Sequence, residues 1–386
     1  MTCEDIKSRG EYVNKAQSKI ESQFPLAFAR SVYKDYYIIE TMFLLSFAPQ
    51  NQYCFIIDKK QNEKFIEQMK SLANCFPNVY LITDKFDMNE LGYNINLAYY
   101  NCFETLQDKP WKYIFTLNND DIQLKTNREM VEILSLYNGA ADILFSADQE
   151  YIKGRYDEHK QWTYESLNFF NDDTFHNKHK MHLNQNITFQ KGYVEASLPR
   201  QAVDYLLKNI SITKFLRQVD DHKHFAVDEI VWSTLMSDPI LNIPGHIHPN
   251  CVNNHSKYAN AFMTRKSFWA RYSKCNSKNV RHNICLLNME QLVNMKEWPH
   301  LFGNKFKAEF DFGGLFCWAE YLYNKTHHHK YIPINKDFYN RLPVVAYNNL
   351  RKTLSIRSSL CQVSLSMMDK YNSFFNTSVL KYNNLN

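Results

Sequence analysis

Two acidic pairs and two separate basic residues are the side chains of this sequence best suited to chemistry. The first pair, Asp120 and Asp121, directly follows a strand-like run that ends at Leu117. Carboxylate oxygens are hard ligands, so this pair suits a Mg²⁺ or Mn²⁺ ion that bridges a diphosphate. A turn held by hydrogen bonds from the Asp and Asn side chains is the other interpretation of the segment.

The second pair, Asp228 and Glu229, lies in a short predicted helix from Ala226 to Met236. Neighbouring residues of a helix point about 100° apart, so only one of the two carboxylates can face a site. A general base needs one ionised carboxylate within hydrogen-bond reach of the proton that it removes. The alternative is an exposed acidic helix start, which the helix dipole favours.

The two basic residues are Arg281 and Lys305. Two cations that converge on one point can neutralise a leaving diphosphate without a metal ion, whereas solvated surface charges are the alternative. His222, His224 and the run 327–329 lack a Cys or carboxylate partner pattern, so we expect loop residues there and no metal site.

Alternating strands and helices in the first third of the chain are the elements that would position these groups. Predicted strands cover Tyr53–Ile57, Asn78–Ile82 and Tyr113–Leu117, and predicted helices cover Asn62–Ala73, Leu91–Leu106 and Asn127–Leu136. The pattern predicts an α/β fold with a mainly parallel central sheet, helices on both faces and ligands at the strand carboxyl ends. The polar segment 148–190 predicts a long loop with little regular structure, and the tail from Lys330 gives no clear pattern.

Composition excludes several classes of protein. The 386 residues carry a net charge of only +5, without a polybasic block, so no nucleic-acid partner is expected. Nine Gly and eleven Pro leave little material for a glycine-rich phosphate loop, and neither G-x-G-x-x-G nor the Walker A pattern is present. No apolar stretch reaches the roughly 18 residues of a membrane span, so this segment itself is expected to make no membrane contact.

Nine cysteines without a C-x-x-C pair occur together with five N-x-[ST] sequons. Disulfides and N-glycans both form in the secretory pathway, so the combination favours that compartment over the cytosol. The candidate glycosylation sites are Asn186, Asn209, Asn254, Asn324 and Asn376.

Several segments in register resemble the core 2 and I-branching β-1,6-N-acetylglucosaminyltransferases, a family that also includes peptide O-xylosyltransferases. The resemblance runs from about residue 3 to residue 320. It is carried by Tyr53–Asp58, Asn74–Val79, Leu97–Cys102, Trp111–Asn127, Asp228–Thr234 and His300–Phe306.

The resemblance implies a fold of the GT-A glycosyltransferase type and a type II membrane protein of the Golgi, whose anchor this sequence does not contain. It implies transfer of GlcNAc from UDP-GlcNAc to an O-glycan with inversion. Glu229 corresponds to the catalytic base, Asp58 to the uridine-contacting residue, and Arg281 and Lys305 to the cations that replace a metal. Asp121 is expected at the donor, and Trp269 and Tyr272 at the acceptor. Asp120 stands where the family usually has an uncharged residue, which leaves metal dependence open.

Two alternatives remain at this point, namely xylosyl transfer from UDP-xylose to a serine and binding of a UDP-sugar or glycan without turnover. By the same resemblance we expect one catalytic domain over residues 1–325 and an extension of unknown structure over 326–386. It further implies the disulfides Cys3–Cys75, Cys54–Cys102 and Cys275–Cys285. Cys317 matches a family cysteine whose partner lies upstream, and Cys251 and Cys361 are its candidate substitute partners.

Overall fold

A computed structural model describes residues 1–146, 149–170, 173–247, 262–270 and 275–353. Its strands are β1 Leu26–Val32, β2 Gln52–Ile57, β3 Val79–Ile82, β4 Tyr113–Leu117, β5 Ile122–Gln123, β6 Phe145–Ser146, β7 Lys191–Gly192, β8 Ala196–Pro199, β9 Arg265–Ser267, β10 Val280–Arg281, β11 Ile284–Cys285 and β12 Phe302–Asn304. The helices are α1 Cys3–Ser8, α2 Lys19–Gln23, α3 Tyr36–Ser46, α4 Glu63–Cys75, α5 Ile95–Leu106, α6 Asn127–Tyr137, α7 Gln149–Ile152, α8 Asp173–Lys178, α9 Arg200–Lys208, α10 Thr213–Val219, α11 Val231–Leu235, α12 Leu292–Met295, α13 Ala308–His327, α14 Lys336–Asn340 and α15 Pro343–Thr353.

The central sheet has five strands in the order β3-β2-β1-β4-β8. The first four strands of this order run parallel, and β8 is antiparallel to β4. Alternate residues of β1 point into two separate cores, with Ala27 and Ala29 on the face covered by α5 and α9 and with Leu26 and Phe28 on the opposite face. The expected α/β fold with a mainly parallel sheet and helices on both faces is therefore confirmed.

The predicted helix starts are explained by capping residues. The Asn62 side chain accepts a hydrogen bond from the Phe65 amide at 2.9 Å, and Thr126 forms a capping box with Glu129. The predicted start at Leu91 is wrong, because Gly92 and Asn94 have positive φ angles and the helix begins at Ile95. The segment Ala226–Met236 is likewise not one helix, since a 3-10 turn over Val227–Ile230 precedes α11.

Two larger expectations also need correction. The sequence patterns gave no indication of β1, which is buried along its whole length and precedes the predicted strand at Tyr53 in the chain. The segment 148–190 contains the short helices α7 and α8, and Trp162, Leu167 and Phe169 pack into the core around α5. This segment is polar along much of its length, but apolar side chains anchor it to the domain.

Residues from the expected C-terminal extension also join the core. Tyr339, Leu342 and Val345 of the α14–α15 segment pack with the residues of β1 and α6. The boundary at residue 325 stays a prediction, and residues 354–386 lie outside the described ranges.

Candidate active site

Asp58 and the segment 118–121 both lie where parallel strands of the central sheet end. Asp58 follows β2, the segment follows β4, and β1 separates these two strands, so the two loops are about 10 Å apart. Asp58 is buried, and its Oδ2 lies 3.2 Å from Nζ of Lys60. The topology thus places the residue expected to contact uridine and the acidic pair on one edge.

Asp121 is completely buried, and hydrogen bonds occupy both of its oxygens. Oδ2 accepts from the Asn118 amide at 2.7 Å, and Oδ1 accepts from Nδ2 of Asn304 at 2.9 Å. Nη1 of Arg265 lies 3.7 Å from the same Oδ1. Asp121 therefore acts as a fixed anion that orders the side chains around it.

Asp120 is paired with a lysine. Nζ of Lys307 lies 3.2 Å from Oδ2 of Asp120, and the Tyr33 hydroxyl donates to the same oxygen at 3.5 Å. Lys307 is 4% exposed, so this ion pair is shielded from water. Both carboxylates of the acidic pair are therefore in contact with hydrogen-bond donors and a cation of the protein itself.

A three-stranded sheet in the order β5-β12-β9 brings the basic residues to this edge. β5 directly follows Asp121, β9 begins with Arg265, and Lys305 directly follows β12. Asp142 fixes the entry to β9, because its Oδ2 accepts hydrogen bonds from the amides of Met263 and Thr264 at 3.0 and 2.5 Å. The register of these short strands thus sets the position of Arg265 against Asp121.

Arg281 lies on β10, the exposed strand of a hairpin whose other strand, β11, is buried. The turn residues His282 and Asn283 both have positive φ, as a two-residue hairpin turn of type I′ requires. A disulfide joins Cys275 to Cys285 and closes the base of this hairpin. The Leu287 amide then donates to the Lys305 carbonyl at 2.9 Å, which ties the hairpin to the end of β12.

The charges of Arg281 and Lys305 act on the same neighbour. Burial, then the charges of Lys305 and Arg281, lower the pKa of His282. Burial also lowers the pKa of Lys305, while the charge of Asp120 opposes that shift. Lys305 is therefore within electrostatic range of Asp120, and Arg281 and Lys305 are both within electrostatic range of His282.

Glu229 lies beside two other cations that the sequence gave no reason to select. Its Oε2 is 2.9 Å from Nη1 of Arg155 and 3.3 Å from Nζ of Lys191. The Glu229 side chain is 24% exposed, so solvent and ligands can reach it. Burial, then the charge of Glu229, raise the pKa of Asp228, the other member of the pair. Among the residues that the structure describes, cations contact Glu229 directly and form no ion pair with Asp228.

Tyr193, Arg265 and Glu195 connect Glu229 to the acidic pair. The Tyr193 ring has Nζ of Lys191 at 4.9 Å from its centroid and the Arg265 guanidinium at 4.7 Å. Arg265 is ion-paired with the buried Glu195, which also accepts from the Asn118 amide group. The sequence analysis did not select these residues. The signal that could have found them is Glu195, a carboxylate within the apolar run after Tyr193, where a charged residue is unusual unless it is paired.

The aromatic residue predicted at the acceptor joins this network. The indole nitrogen of Trp269 donates to the Tyr193 hydroxyl at 2.7 Å, and the two rings are stacked with centroids 6.3 Å apart. Tyr272, the other predicted acceptor residue, lies outside the described ranges.

The Core-2/I-Branching enzyme family profile matches residues 26–296 of this chain. The chain belongs to this family. A human β-1,3-galactosyl-O-glycosyl-glycoprotein β-1,6-N-acetylglucosaminyltransferase 3 is 28% identical over 339 residues, which cover 84% of this chain and 74% of the relative. A second relative is the β-1,3-galactosyl-O-glycosyl-glycoprotein β-1,6-N-acetylglucosaminyltransferase of Bovine herpesvirus 4 (strain DN-599). It is also 28% identical, over 341 residues, which cover 84% of this chain and 73% of the viral relative. The predicted family, and with it the glycosyltransferase class, is confirmed.

Among solved structures, core-mannan synthase A from Aspergillus fumigatus aligns with 60% of this chain and 70% of its own. The TM-score is 0.27 and the identity 11%, which is too low a similarity to carry an argument.

The cysteines of this Core-2/I-Branching enzyme include the three pairs that the resemblance implied. Disulfides join Cys3 to Cys75 and Cys54 to Cys102, in addition to the pair below the Arg281 hairpin. Cys317 is exposed and forms no disulfide within the described residues. Its candidate substitute partners Cys251 and Cys361 lie outside the described ranges, so their pairing stays a prediction.

Two of the five sequon asparagines, Asn186 and Asn209, are exposed, as attachment of a glycan requires. Asn324 is half-buried within α13, and Asn254 and Asn376 lie outside the described ranges. In the described part of the chain, no helix has both the length and the apolar character needed to cross a membrane.

Proposed function

We propose that this protein transfers GlcNAc from UDP-GlcNAc to a hydroxyl group of an O-glycan and forms a β-1,6 branch with inversion at the anomeric carbon. Family membership and the activity in the relatives' names support this reaction. The observation that carries the assignment of residues is the unbroken chain of contacts from Glu229 to Asp121. It runs through Lys191, Tyr193 and Arg265, with no step longer than 4.9 Å.

In the proposed reaction Glu229 is the general base. Its carboxylate takes the proton of the acceptor hydroxyl while the acceptor oxygen attacks the anomeric carbon from the side opposite UDP. The new bond to the acceptor oxygen forms as the bond between the anomeric carbon and the UDP oxygen breaks, which inverts the configuration. The partial exposure of Glu229 and the stacked Trp269 and Tyr193 beside its Lys191 partner fit an acceptor site here.

Arg281 and Lys305 are proposed to stabilise the negative charge that develops on the leaving diphosphate. Preorganised cations are effective here because they need no rearrangement when the charge appears. The hairpin disulfide and the contact of Leu287 with the Lys305 backbone hold both residues on the same side of the edge. We assign Asp58 to the uridine group on the basis of its place at the end of β2 and its family counterpart.

We further propose that the reaction needs no divalent metal. The buried oxygens of Asp121 are both engaged by protein donors, and Asp120 is neutralised by Lys307. A cation of the protein thus already lies against each carboxylate of the pair, and this supports a reaction in which Arg281 and Lys305 replace the metal. Transfer activity is expected to be the same in excess EDTA and in added Mn²⁺, and loss of activity in EDTA would contradict this proposal.

The proposed function is tested by a donor and acceptor screen. The purified protein is incubated with UDP-GlcNAc or UDP-xylose and with an O-glycan disaccharide or a serine peptide, and the product linkage is determined by NMR. A β-1,6-linked GlcNAc product from the glycan acceptor is expected. Xylose on serine would instead support the alternative transfer, and calorimetric binding of UDP without any product would support a protein that binds without turnover.

We propose the Golgi lumen as the site of action. The three disulfides and the two exposed sequons fit an oxidising, glycosylating compartment. In a cell, the full-length protein is expected to co-localise with Golgi markers and to carry N-glycans at Asn186 and Asn209.

A further inference from the structure

The tip of the Arg281 hairpin contacts a distant part of the chain through His282. Nε2 of His282 lies 3.4 Å from Oε2 of Glu90, which belongs to the segment before α5. Ion pairs between exposed groups contribute little to stability, so the fold does not depend on this contact. The contact matters because it joins the hairpin, which carries a cation proposed for the diphosphate, to another segment at the site.

The segment before Glu90 reaches the proposed uridine residue. Nζ of Lys60 lies 3.2 Å from Oδ2 of Asp58, and it also donates to the Asp87 carboxylate. Glu90 follows Asp87 by three residues, so this short segment connects the surroundings of Asp58 to the tip of the hairpin. A donor that extends from Asp58 to the hairpin would run past this segment.

The backbone at the tip is held on both sides of His282. His282 and Asn283 both have positive φ, as the two-residue turn requires, and the Asn283 carbonyl accepts from the Ala270 amide at 2.9 Å. The disulfide of Cys275 and Cys285 closes the base of the hairpin. A change of charge on the imidazole therefore needs no rearrangement of the hairpin backbone.

Among the described residues, the charged groups that act on His282 are three cations and one carboxylate. Burial lowers its pKa, and the charges of Lys305 and Arg281 lower it further. Lys307 acts in the same direction, and Glu90 opposes the shift. The ring is therefore uncharged at neutral pH when no ligand is bound. A bound diphosphate would offset the charge of the cations, so it would favour the protonated ring.

We propose that His282 is a further positioning residue for the donor, which takes up a proton when the diphosphate binds and then holds the Arg281 hairpin to Glu90. This inference rests on the proposed function and deepens it, because it adds a third positive charge to the two proposed at the leaving group. The proton comes from solvent and stays on the imidazole, so no bond of the substrate changes. His282 acts through its charge and the position of the hairpin, and it is not a catalytic residue.

This role gives donor binding a defined dependence on pH. The pKa of His282 is higher in the complex than in the free protein, so affinity for UDP-GlcNAc falls as pH rises through the range in which histidine titrates. Above that range the ring is neutral in both states, and affinity no longer changes. A rise of about one pKa unit on binding corresponds to a Kd that is roughly tenfold lower at about pH 5 than at about pH 8.

Isothermal titration calorimetry of UDP-GlcNAc, without acceptor, tests the proposal in the wild type and in His282→Asn. UDP-GlcNAc is a suitable probe because its diphosphate is esterified at both ends and does not titrate in this range. Asn favours the positive φ of this turn and cannot carry a charge, so the variant keeps the hairpin and removes the proton. The wild type is expected to bind roughly tenfold more tightly at about pH 5 than at about pH 8 and to take up protons near about pH 6.5, as buffers of different ionisation enthalpy report.

The variants separate the charge of His282 from other effects of pH. His282→Asn is expected to bind as tightly as the wild type at about pH 8 and to lose the gain at about pH 5. Glu90→Gln is expected to lose part of that gain, because the protonated ring lacks its partner. His329→Asn is the matched control, since it removes an exposed histidine after α13, and it is expected to behave like the wild type.

Burial raises the pKa of Asp228 and of Glu195, so the difference between the wild type and His282→Asn carries the test. The same pH dependence in both proteins would overturn the proposal, as would a pKa of His282, followed by NMR, that does not rise when UDP-GlcNAc is added. The full wild-type gain in Glu90→Gln would overturn the role of Glu90. Binding without proton uptake refutes this inference alone, whereas no binding of UDP-GlcNAc at either pH would overturn the proposed donor as well.

Discussion

Asp142 allows the most quantitative test of how the site is built, because one buried carboxylate fixes the strand that carries Arg265. Oδ2 accepts from the amides of Met263 and Thr264 and from the Thr264 hydroxyl at 2.6 Å, and the Tyr137 hydroxyl donates to Oδ1 at 3.1 Å. Replacing Asp142 by Ala removes all of these acceptors. Replacing Asp142 by Asn keeps one oxygen, which can still accept from the Met263 amide, the Thr264 amide and the Thr264 hydroxyl. The Tyr137 hydroxyl can turn to accept a hydrogen bond from the new side-chain amide.

The expected cost follows from the donors that find no other partner. The Thr264 hydroxyl also contacts Ser197 Oγ at 2.6 Å, so it can turn to that partner. The backbone amides of Met263 and Thr264 cannot turn to another partner in this way. Each buried donor that is left without an acceptor costs about 1–3 kcal/mol of stability. Asp142→Ala is therefore expected to be about 2–6 kcal/mol less stable than Asp142→Asn at pH 7.

Guanidinium unfolding of the disulfide-intact protein, followed by tryptophan fluorescence, measures this difference. The activity of Asp142→Ala is also expected to fall, because Met263 and Thr264 directly precede Arg265. A difference in stability of less than about 1 kcal/mol between the two variants would refute the role of these amide contacts.

Comparison of the wild type with Asp142→Asn tests the pH dependence of stability. Burial raises the pKa of Asp142 from 3.8 to about 6. An acid whose pKa is higher in the folded state favours folding when it is protonated. The contribution of Asp142 to the free energy of unfolding therefore falls as pH rises from 3.8 to about 6, and it stays constant above pH 6. Relative to Asp142→Asn, the wild type is expected to lose about 3 kcal/mol over that window. A difference between the two proteins that does not change with pH would contradict this value.

Three further outcomes follow from the structure. Lys305→Ala is expected to lower kcat about 100- to 1,000-fold, with partial recovery in Lys305→Arg. Steady-state kinetics that gave the same kcat for the wild type and both variants would exclude a role of Lys305 at the diphosphate. Gly192→Ala is expected to destabilise the protein and lower activity, since a Cβ there would lie 2.1 Å from the Leu144 carbonyl oxygen. Thermal unfolding measures the loss of stability, and Gly313→Ala is the control because its Cβ would meet only ordinary contacts at 3.5 Å. The double variant Cys275→Ser with Cys285→Ser is expected to raise KM for UDP-GlcNAc by loosening the Arg281 hairpin, and an unchanged donor KM would show that the disulfide does not position Arg281.

The central sheet could be predicted in part because its strands and helices carry local signals. Buried runs such as Tyr53–Ile57 and the caps at Asn62 and Thr126 lie within a few residues of the elements that they define. β1 was not predicted because Arg30 and Ser31 interrupt its apolar run, whereas the strands that were predicted contain at most one polar residue each. The corrected start of α5 depends on positive φ angles at Gly92 and Asn94, for which the periodicity of apolar residues gives no sign.

Residues of the candidate site could be predicted from sequence only where family motifs mark them. Glu229 and Lys305 lie in segments that resemble the family, and Arg281 corresponds to a family position outside those segments, so all three could be selected from sequence alone. Arg155 and Lys191 come from separate segments and meet Glu229 only through tertiary packing. A charged residue with no local motif cannot be assigned a partner from its spacing, and this is why the cations around the base were missed.

The identity of the base is the central claim, and Glu229→Gln tests it most directly. The variant keeps the size of the side chain but cannot take a proton, so kcat is expected to fall at least about 100-fold while KM for UDP-GlcNAc stays within about threefold of wild type. Lys191→Gln is the control, because it breaks one ion pair of Glu229 at 3.3 Å and leaves the carboxylate in place. The measurement is the initial rate of β-1,6-GlcNAc formation at saturating donor and acceptor. A rate for Glu229→Gln close to that of the wild type would contradict the account.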